Sequence, residues 1–212
     1  MPEPTNAGTG PRLFYLGSMV ILLLNAVGVL LAQQSYGLAT DEGWQAITRY
    51  SSRIAFLFFL LAFVARPLPD MLSRPWTQWL VRQRRYIGLA FALGFYLHLA
   101  SVVAFHIRVD KVPGAVAFVG GGLAYLLLTC MVVTSTDQWQ RRLGRNWRRL
   151  HRTGMYYLGV LFALAYVSKS LVQEAGGVAF LPFGLASLLP FLLRLLLWLR
   201  SRSRRGTARQ AA

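Results

Sequence analysis

The chain alternates between long apolar stretches and short polar or basic segments. The apolar stretches lie at about residues 13–32, 53–65, 86–107, 113–134, 150–171 and 178–199. Most of them have the length of about 20 residues that a helix needs to cross a hydrocarbon layer of about 30 Å. The second is short for a crossing, which leaves open an earlier start near Trp44. The pattern predicts an all-α integral membrane bundle of about six transmembrane helices.

The two ends of the chain differ from its apolar middle. Residues 1–11 are rich in Pro, Gly and Thr and predict a flexible N-terminal tail. Residues 12–199 form the predicted six-helix transmembrane domain, and residues 200–212 form a basic tail. The first apolar stretch begins only at Leu13 and has no clear small-residue cleavage site, so we interpret it as a permanent span and not as a signal peptide.

Basic residues are concentrated in alternate connections between the spans. The connections from span two to three and from span four to five, and the segment after span six, hold Arg66, Arg74, Arg82, Arg84, Arg85, Arg141, Arg142, Arg145, Arg148, Arg149, Arg200, Arg202, Arg204, Arg205 and Arg209. The other connections hold Asp41, Glu42, Asp110 and Glu174, with only Arg49, Lys111 and Lys169 as bases. Because basic loops stay in the cytoplasm, both termini are predicted to be cytoplasmic.

The composition agrees with a protein that is solvated mainly by lipid. Hydrophobic residues make up 55% and charged residues 14% of the chain, and the mean hydropathy is +0.44. The net charge of +16 does not indicate nucleic-acid binding, because the arginines lie between apolar stretches and not in a stripe beside aromatic residues. It predicts attraction to anionic membrane lipid. The single cysteine, Cys130, excludes an internal disulfide and a cysteine-clustered metal site.

The histidines are the candidate ligands of the chain. His98 falls inside predicted span three, where a polar ring facing lipid would be costly. It either ligates a b-type heme between helices or donates a hydrogen bond to a neighbouring helix, and its position alone leaves both interpretations open. His106 lies beside Arg108 near the outer end of the span and is expected to be solvated. His151, at the inner end of span five, could equally contact phospholipid or a loop carboxylate.

The polar residues form no pattern typical of a stand-alone catalyst. The seven acidic residues are scattered and lie mostly in loops, and there is no Ser-His-Asp grouping and no phosphate-binding glycine loop. The glycines from Gly120 to Gly122 indicate a close-packing helix surface. A small transporter would need intramembrane carboxylates or broken helices, and neither is evident.

Two motifs resemble a known family. The first is Arg84-Arg85-Tyr86-Ile87-Gly88-Leu89, followed by Leu97-His98-Leu99, and the second is Thr134-Ser135-Thr136 followed by Gln140-Arg141-Arg142-Leu143-Gly144-Arg145-Asn146-Trp147-Arg148-Arg149-Leu150-His151-Arg152. Both resemble the MsrQ (YedZ) heme-binding membrane subunits of the ferric reductase-like transmembrane superfamily. Weaker likeness at Ser52-Arg53 and Arg66-Pro67-Leu68 extends the resemblance over most of the chain from about Tyr50 onward.

The resemblance implies a multi-pass protein of the bacterial inner membrane that binds heme b, with FMN as a second candidate cofactor. It implies electron transfer from a cytoplasmic flavin reductase or a quinol to a periplasmic partner, a molybdenum enzyme that repairs methionine sulfoxide. On this basis His98 and His151 are the expected heme and metal ligands, and Arg84 and Arg85 are further cofactor-binding residues.

The chain departs from the family at one position. The family usually has another histidine about thirteen residues beyond the one matched by His151, and that position falls here on Leu164 or Ala165. His98 and His151 are unsuited to share one iron, since their heights in the membrane are expected to differ by many residues. The remaining options are a heme held by His98 alone or with a weaker ligand, a heme at His151 with a non-histidine partner near Arg84 or Arg85, and a heme-free membrane anchor or assembly protein. Tyr166 and Met155 are conceivable ligands.

Overall fold

A computed structural model describes residues 9–172 and 177–210, and every regular element within these ranges is helical. The α-helices, in chain order, are α1 (Thr9–Tyr36), α2 (Asp41–Val64), α3 (Leu68–Met71), α4 (Pro75–Val109), α5 (Ala115–Val133), α6 (Asp137–Leu143), α7 (Arg145–Leu171) and α8 (Leu181–Gln210). A single 3-10 turn, Gly177–Phe180, precedes α8.

Five of these helices, α1, α2, α4, α7 and α8, are individually long and apolar enough to cross a membrane. The apolar part of α5 meets the same test together with α6, whose axis is bent from it by 103°, so the described residues hold five spans, or six if this bent pair is one. The 19 residues of α5 correspond to about 28 Å of helix, close to the hydrocarbon thickness. The predicted all-α membrane bundle is therefore confirmed. The cytoplasmic location of the termini remains a prediction.

The helix ends follow from local chemistry. Thr40 caps α2 by accepting a hydrogen bond from the Gly43 amide, and Thr136 caps α6 in the same way through the Trp139 amide. Proline stands at the start of α4, where its missing amide hydrogen costs nothing. Asp110 ends α4 in a left-handed conformation, with φ of 47°. Gly144, with φ of 49°, gives the chain the turn it needs between α6 and α7.

Cross-helix contacts set the directions of the spans. The side chains of Arg108 and Asp41 pair at one end of α4 and α2, and the rings of Phe91 and Phe59 meet further along, so these two helices are antiparallel. Contacts of Ser52 with Tyr166 and of Phe63 with Tyr156 make α2 and α7 antiparallel as well. It follows that α4 and α7 run parallel to each other. α1 packs against α2 and α4, α5 packs on α7, and α8 covers α7 and α2.

Aromatic rings fill the centre of the bundle. Phe56 and Phe59 of α2, Phe91 and Phe95 of α4, and Phe162 of α7 are all buried. The centroid of the Phe162 ring lies 5.0 Å from that of Phe59 and 5.6 Å from that of Phe95. Large apolar side chains are exposed on the outside, Tyr15, Met19 and Leu23 of α1 among them. Such a surface is unsuited to water and suits contact with lipid.

Some sequence predictions concern residues outside the described ranges. Residues 1–8 of the predicted N-terminal tail are among them, and α1 begins at Thr9. Glu174, which contributed to the predicted orientation, also lies outside the described residues. The helix α8 extends through most of the predicted basic tail, as far as Gln210.

Candidate functional site

His98 lies on α4 and is half-buried. It is in the half of the bundle that the loop charges predict to face outside, which is called the outer half; the opposite end is called the inner end. Its Nδ1 atom lies 3.1 Å from the hydroxyl oxygen of Ser51 on α2. Among the described residues, its Nε2 atom has no hydrogen-bond partner. The ring of Phe95, one turn earlier on α4, lies 5.9 Å from the imidazole. One nitrogen of the ring is therefore held in place, and the other is available.

A group of hydroxyls surrounds the backbone and ring of His98. The Ser51 and Ser101 hydroxyl oxygens are 2.9 Å apart, and Ser101 donates to the His98 carbonyl at 2.7 Å. Ser51 also lies 3.0 Å from the carbonyl oxygen of Thr48. Both serines are buried, with 2% and 9% of their surfaces exposed. The His98 side chain is thus anchored by a buried polar network that joins α2 to α4.

His151 occupies a different environment at the inner end of α7. Its Nε2 atom lies 3.2 Å from the Thr134 hydroxyl at the end of α5. Its ring stacks on Trp147 at a centroid distance of 4.1 Å, and the Trp147 indole donates to the Thr134 carbonyl at 2.8 Å. Both a nitrogen and a face of this imidazole are therefore engaged by protein groups.

The two candidate ligands lie at different heights. The rings of Phe95 and Phe162 mark one level where the parallel helices α4 and α7 meet. His98 is three residues from this level toward the outer end, and His151 is eleven residues from it toward the inner end. The two histidines are therefore separated by about fourteen residues, or about 21 Å along the helix axes at about 1.5 Å per residue. A single heme iron therefore cannot bind both imidazoles.

The position at which the family has its second histidine faces away from His98. Phe162 and Tyr166 form the inward face of α7 and are buried, whereas Leu164 is 65% exposed and Ala165 is also exposed. Tyr166 is turned toward α2, where its hydroxyl lies 3.0 Å from that of Ser52. The residues of α7 that approach the level of His98 are thus a phenylalanine and a tyrosine that bonds elsewhere.

Arg84 and Arg85 lie at the inner end of α4, about fourteen residues and therefore about 21 Å from His98. Arg84 is exposed, and it is at the height of His151. Arg85 forms an ion pair with Asp137 of α6, with its Nη1 atom 2.6 Å from the carboxylate oxygen. The structure thus places Arg84, Arg85 and His151 at the inner end and leaves His98 apart from them.

The remaining histidine, His106, bonds within its own helix. Its Nδ1 atom lies 2.9 Å from the carbonyl oxygen of Val102. It lines an outer cleft of mixed polarity together with Asp41, Glu42 and Lys111. This environment suits a histidine near water at the membrane boundary.

Sequence reasoning missed two groups of residues. Ser101 lies one helical turn after His98, but nothing in the sequence signals the contact of Ser51 with His98, because these two residues lie 47 positions apart and only the packing of α2 on α4 joins them. Arg53 was noted only for its weak family likeness. Its guanidinium lies 4.9 Å from the ring centroid of Phe180 and 5.0 Å from that of Phe183. A charged residue inside an apolar stretch is the signal that could have found it.

Comparison with known proteins adds a family to this geometry. Residues 51–164 match the family described as the ferric reductase like transmembrane component. The chain belongs to this family. The matched segment of the ferric reductase-like chain runs from Ser51 to Leu164 and so contains both His98 and His151.

Several relatives carry the name protein-methionine-sulfoxide reductase heme-binding subunit MsrQ. The protein from Xanthomonas euvesicatoria pv. vesicatoria is 31% identical over 165 residues, which cover 74% of this chain and 71% of the relative. The protein from Xanthomonas campestris pv. campestris strain B100 is 33% identical over 141 residues, covering 63% of this chain and 61% of the relative. The Xanthomonas oryzae pv. oryzae protein is 30% identical over 166 residues, with 74% and 71% covered. No solved structure gives a significant match.

The donor atoms of this ferric reductase-like chain fit only part of what a heme requires. Heme iron takes its axial ligands from side chains at one height on facing helices. His98 offers an oriented ring with a free nitrogen, but no imidazole opposes it among the described residues. These residues also contain no group of three or more His, Cys, Asp or Glu side chains that could share a metal ion. The described residues thus offer one imidazole at the height of His98, and they do not fit a bis-histidine heme.

Proposed function

We propose that this protein is a membrane electron-transfer subunit that binds heme b through His98. Membership of the ferric reductase-like family and the heme-binding subunits among its relatives support this proposal. The observation that carries it is the His98 imidazole, which contacts Ser51 at Nδ1 and whose Nε2 has no hydrogen-bond partner among the described residues. When bound, heme supplies a one-electron carrier whose potential depends on its ligand and surroundings.

The surrounding residues have separate roles in this proposal. Ser51 orients the imidazole of His98, and the aromatic rings of Phe95 and Phe162 exclude water from the bundle centre. His151 serves as a structural link between α7 and α5 or contacts the porphyrin of a second, inner heme. Because Thr134 and Trp147 already engage it, the link is the role that its contacts favour.

The inner and outer ends of the bundle define the proposed partners. The cytoplasmic electron donor is a flavin reductase or a quinol, and Arg84 offers an exposed cation at the inner end for an anionic group such as the phosphate of FMN. The acceptor is a periplasmic molybdoenzyme that reduces methionine sulfoxide, in keeping with the names of the relatives. The protein resides in the bacterial inner membrane, where the exposed apolar surface of the helices contacts lipid.

A heme-free membrane anchor or assembly protein is the second candidate function. The aromatic side chains between α4 and α7 already fill the bundle centre, with ring centroids 5.0 to 5.6 Å apart around Phe162. The family's second histidine position also falls at Leu164, whose side chain is exposed on the surface of the bundle and faces away from its centre. In this alternative the hydrogen bond between Ser51 and His98 only packs α2 against α4.

The reduced-minus-oxidised absorption spectrum of protein purified from heme-replete cells separates these functions. We expect a b-type signal that is lost in His98→Ala and retained in His151→Ala. His106→Ala is the matched control, because it removes a histidine from the same helix that bonds only to its own backbone. We also expect a reduced heme that binds carbon monoxide, since a single imidazole leaves one axial position open. A wild-type protein without a b-type signal would establish the heme-free alternative, and loss of the signal only in His151→Ala would move the heme to the inner end.

A further inference from the structure

The hydrogen bonds around His98 depend on which ring nitrogen carries the proton. Nδ1 lies 3.1 Å from the Ser51 hydroxyl, that hydroxyl lies 2.9 Å from the Ser101 hydroxyl, and Ser101 lies 2.7 Å from the His98 carbonyl. The three distances describe a closed chain that begins at the ring of His98 and ends at its own backbone. All three lie within the hydrogen-bonding range.

The number of available protons favours one tautomer of the imidazole. Each serine hydroxyl has a single proton to donate. If Nδ1 is protonated, it donates to Ser51, Ser51 donates to Ser101, and Ser101 donates to the His98 carbonyl, so all three contacts are hydrogen bonds. If Nδ1 is unprotonated, Ser51 donates its proton to Nδ1. Ser101 then donates either to Ser51 or to the His98 carbonyl, so the group has two hydrogen bonds. One additional bond corresponds to roughly a five- to tenfold preference for the protonated form.

The burial of the two serines strengthens this preference. Ser51 is 2% exposed and Ser101 is 9% exposed, so water does not replace a missing bond readily. The carbonyl of Thr48, 3.0 Å from the Ser51 hydroxyl, is a second acceptor for Ser51 when Nδ1 is the donor. The single Ser51 proton reaches either this carbonyl or Ser101, so with Nδ1 protonated the group makes three hydrogen bonds in either arrangement, against two with Nδ1 unprotonated.

We propose that Ser51 is a positioning residue that holds His98 in the Nδ1-protonated tautomer and leaves an unprotonated Nε2 as the nitrogen available to iron. The use of Nε2 as a ligand rests on the proposed function, whereas the tautomer itself does not. A histidine that ligates a metal generally donates its other ring N–H to an acceptor, which fixes the ring and raises the basicity of the ligand. Ser51 supplies that acceptor from a neighbouring helix.

The first test uses heme-free protein, so that it is independent of heme binding. Protein labelled with ¹⁵N-histidine is purified from heme-deficient cells, and the ring nitrogens are observed by NMR at mildly alkaline pH. The signal of His98 is assigned by its loss in His98→Gln. We expect a protonated Nδ1 and a bare Nε2 in the wild type and in Ser51→Thr, which keeps the hydroxyl. In Ser51→Ala we expect the preference to fall by roughly five- to tenfold.

Ser52→Ala is the matched control, because Ser52 lies on the same helix and bonds to Tyr166 instead. It should leave the tautomer of His98 unchanged. A bare Nδ1 in the wild type, or a protonated Nδ1 that persists unchanged in Ser51→Ala, would overturn the proposal. If Ser51→Ala fails to fold, the tautomer of His98 is still measured in the wild type, in Ser51→Thr and in Ser101→Ala. An unprotonated Nδ1 in the wild type would then overturn the proposal, because it contradicts the number of hydrogen bonds expected for the network.

The second test measures the reduction potential of the heme-loaded protein. Loss of the Ser51 acceptor lowers the basicity of the imidazole, and a less basic ligand stabilises ferric iron less. We therefore expect a higher potential in Ser51→Ala, recovery in Ser51→Thr and no change in Ser52→Ala. An unchanged potential in Ser51→Ala would refute the role of Ser51 toward the iron. If no heme binds at all, the proposed function fails while the NMR test still decides the tautomer.

Discussion

Arg194 joins the last transmembrane helix to the end of the second, and its replacement by methionine should loosen the bundle. Its Nη2 atom donates to the carbonyl of Phe63 at 3.1 Å, and its guanidinium lies 3.8 Å from the ring centroid of Phe63 and 5.0 Å from that of Tyr156. Phe63 belongs to the last turn of α2, whose carbonyls have no partner within the helix. Arg194 therefore caps α2 from α8.

The expected loss follows from these two kinds of contact. Hydrogen bonds between helices in a membrane contribute on average about 0.6 and at most about 1.7 kcal/mol. A cation over an aromatic ring contributes about 0.5 to 2 kcal/mol, depending on its desolvation. Methionine retains much of the apolar stem but neither contact, so Arg194→Met should lower the free energy of unfolding by about 1 to 3 kcal/mol. Arg194→Lys should lose less, because it keeps the charge without the planar geometry.

The assay is reversible unfolding of the purified protein in mixed micelles, in which the fraction of a denaturing detergent is increased. Arg200→Met is the matched control, since Arg200 is exposed on the same helix and its replacement changes the net charge equally. We expect Arg200→Met to lie within about 0.5 kcal/mol of the wild type, as is usual for surface substitutions. Equal effects of the two variants would show that the guanidinium of Arg194 does not hold α2 and α8 together.

Two further predictions concern α7. Gly159→Val should lower the free energy of unfolding by about 1 to 3 kcal/mol in the same assay, because a Cβ atom at Gly159 would come within 2.9 Å of Phe63 and 3.0 Å of Phe191. Gly122→Val on α5 is its control, because a Cβ atom there meets nothing within 4 Å; the close packing predicted for Gly120 to Gly122 is thus wrong at Gly122. Equal stabilities of the two variants would contradict the packing argument. Leu164→His should leave the absorption spectrum unchanged, because this position is 65% exposed and points away from His98; a conversion to the spectrum of a bis-histidine heme would show that α7 can rotate to bring it inward.

The apolar stretches were sufficient to predict the spans, but not all of the helical residues. α4 begins at Pro75, eleven residues before the predicted stretch at Tyr86, and the intervening segment holds Arg82, Arg84 and Arg85. Hydropathy reports where a helix meets lipid, whereas the hydrogen bonds of the helix continue into water when a good start such as Pro75 is present. The end of α8 also shows that hydropathy does not mark the end of a helix, because α8 continues to Gln210 beyond the last apolar residues.

The amino-acid sequence by itself determined the class of the protein. Long apolar stretches demand helices that satisfy their own backbone hydrogen bonds in lipid, and the motifs around His98 and His151 were enough to indicate the family. These are local properties, which depend on neighbouring residues along the chain.

Only the tertiary structure decided which side chains meet. The contact between His98 and Ser51 joins residues 47 positions apart. The positions of His98 and His151 within their spans predicted a difference in height, and the alignment of α4 and α7 fixed its size. The outward direction of Leu164 likewise depends on how far α7 is rotated about its axis. Helix rotation and vertical alignment result from packing among the aromatic rings of several helices, and no single segment of sequence contains that information.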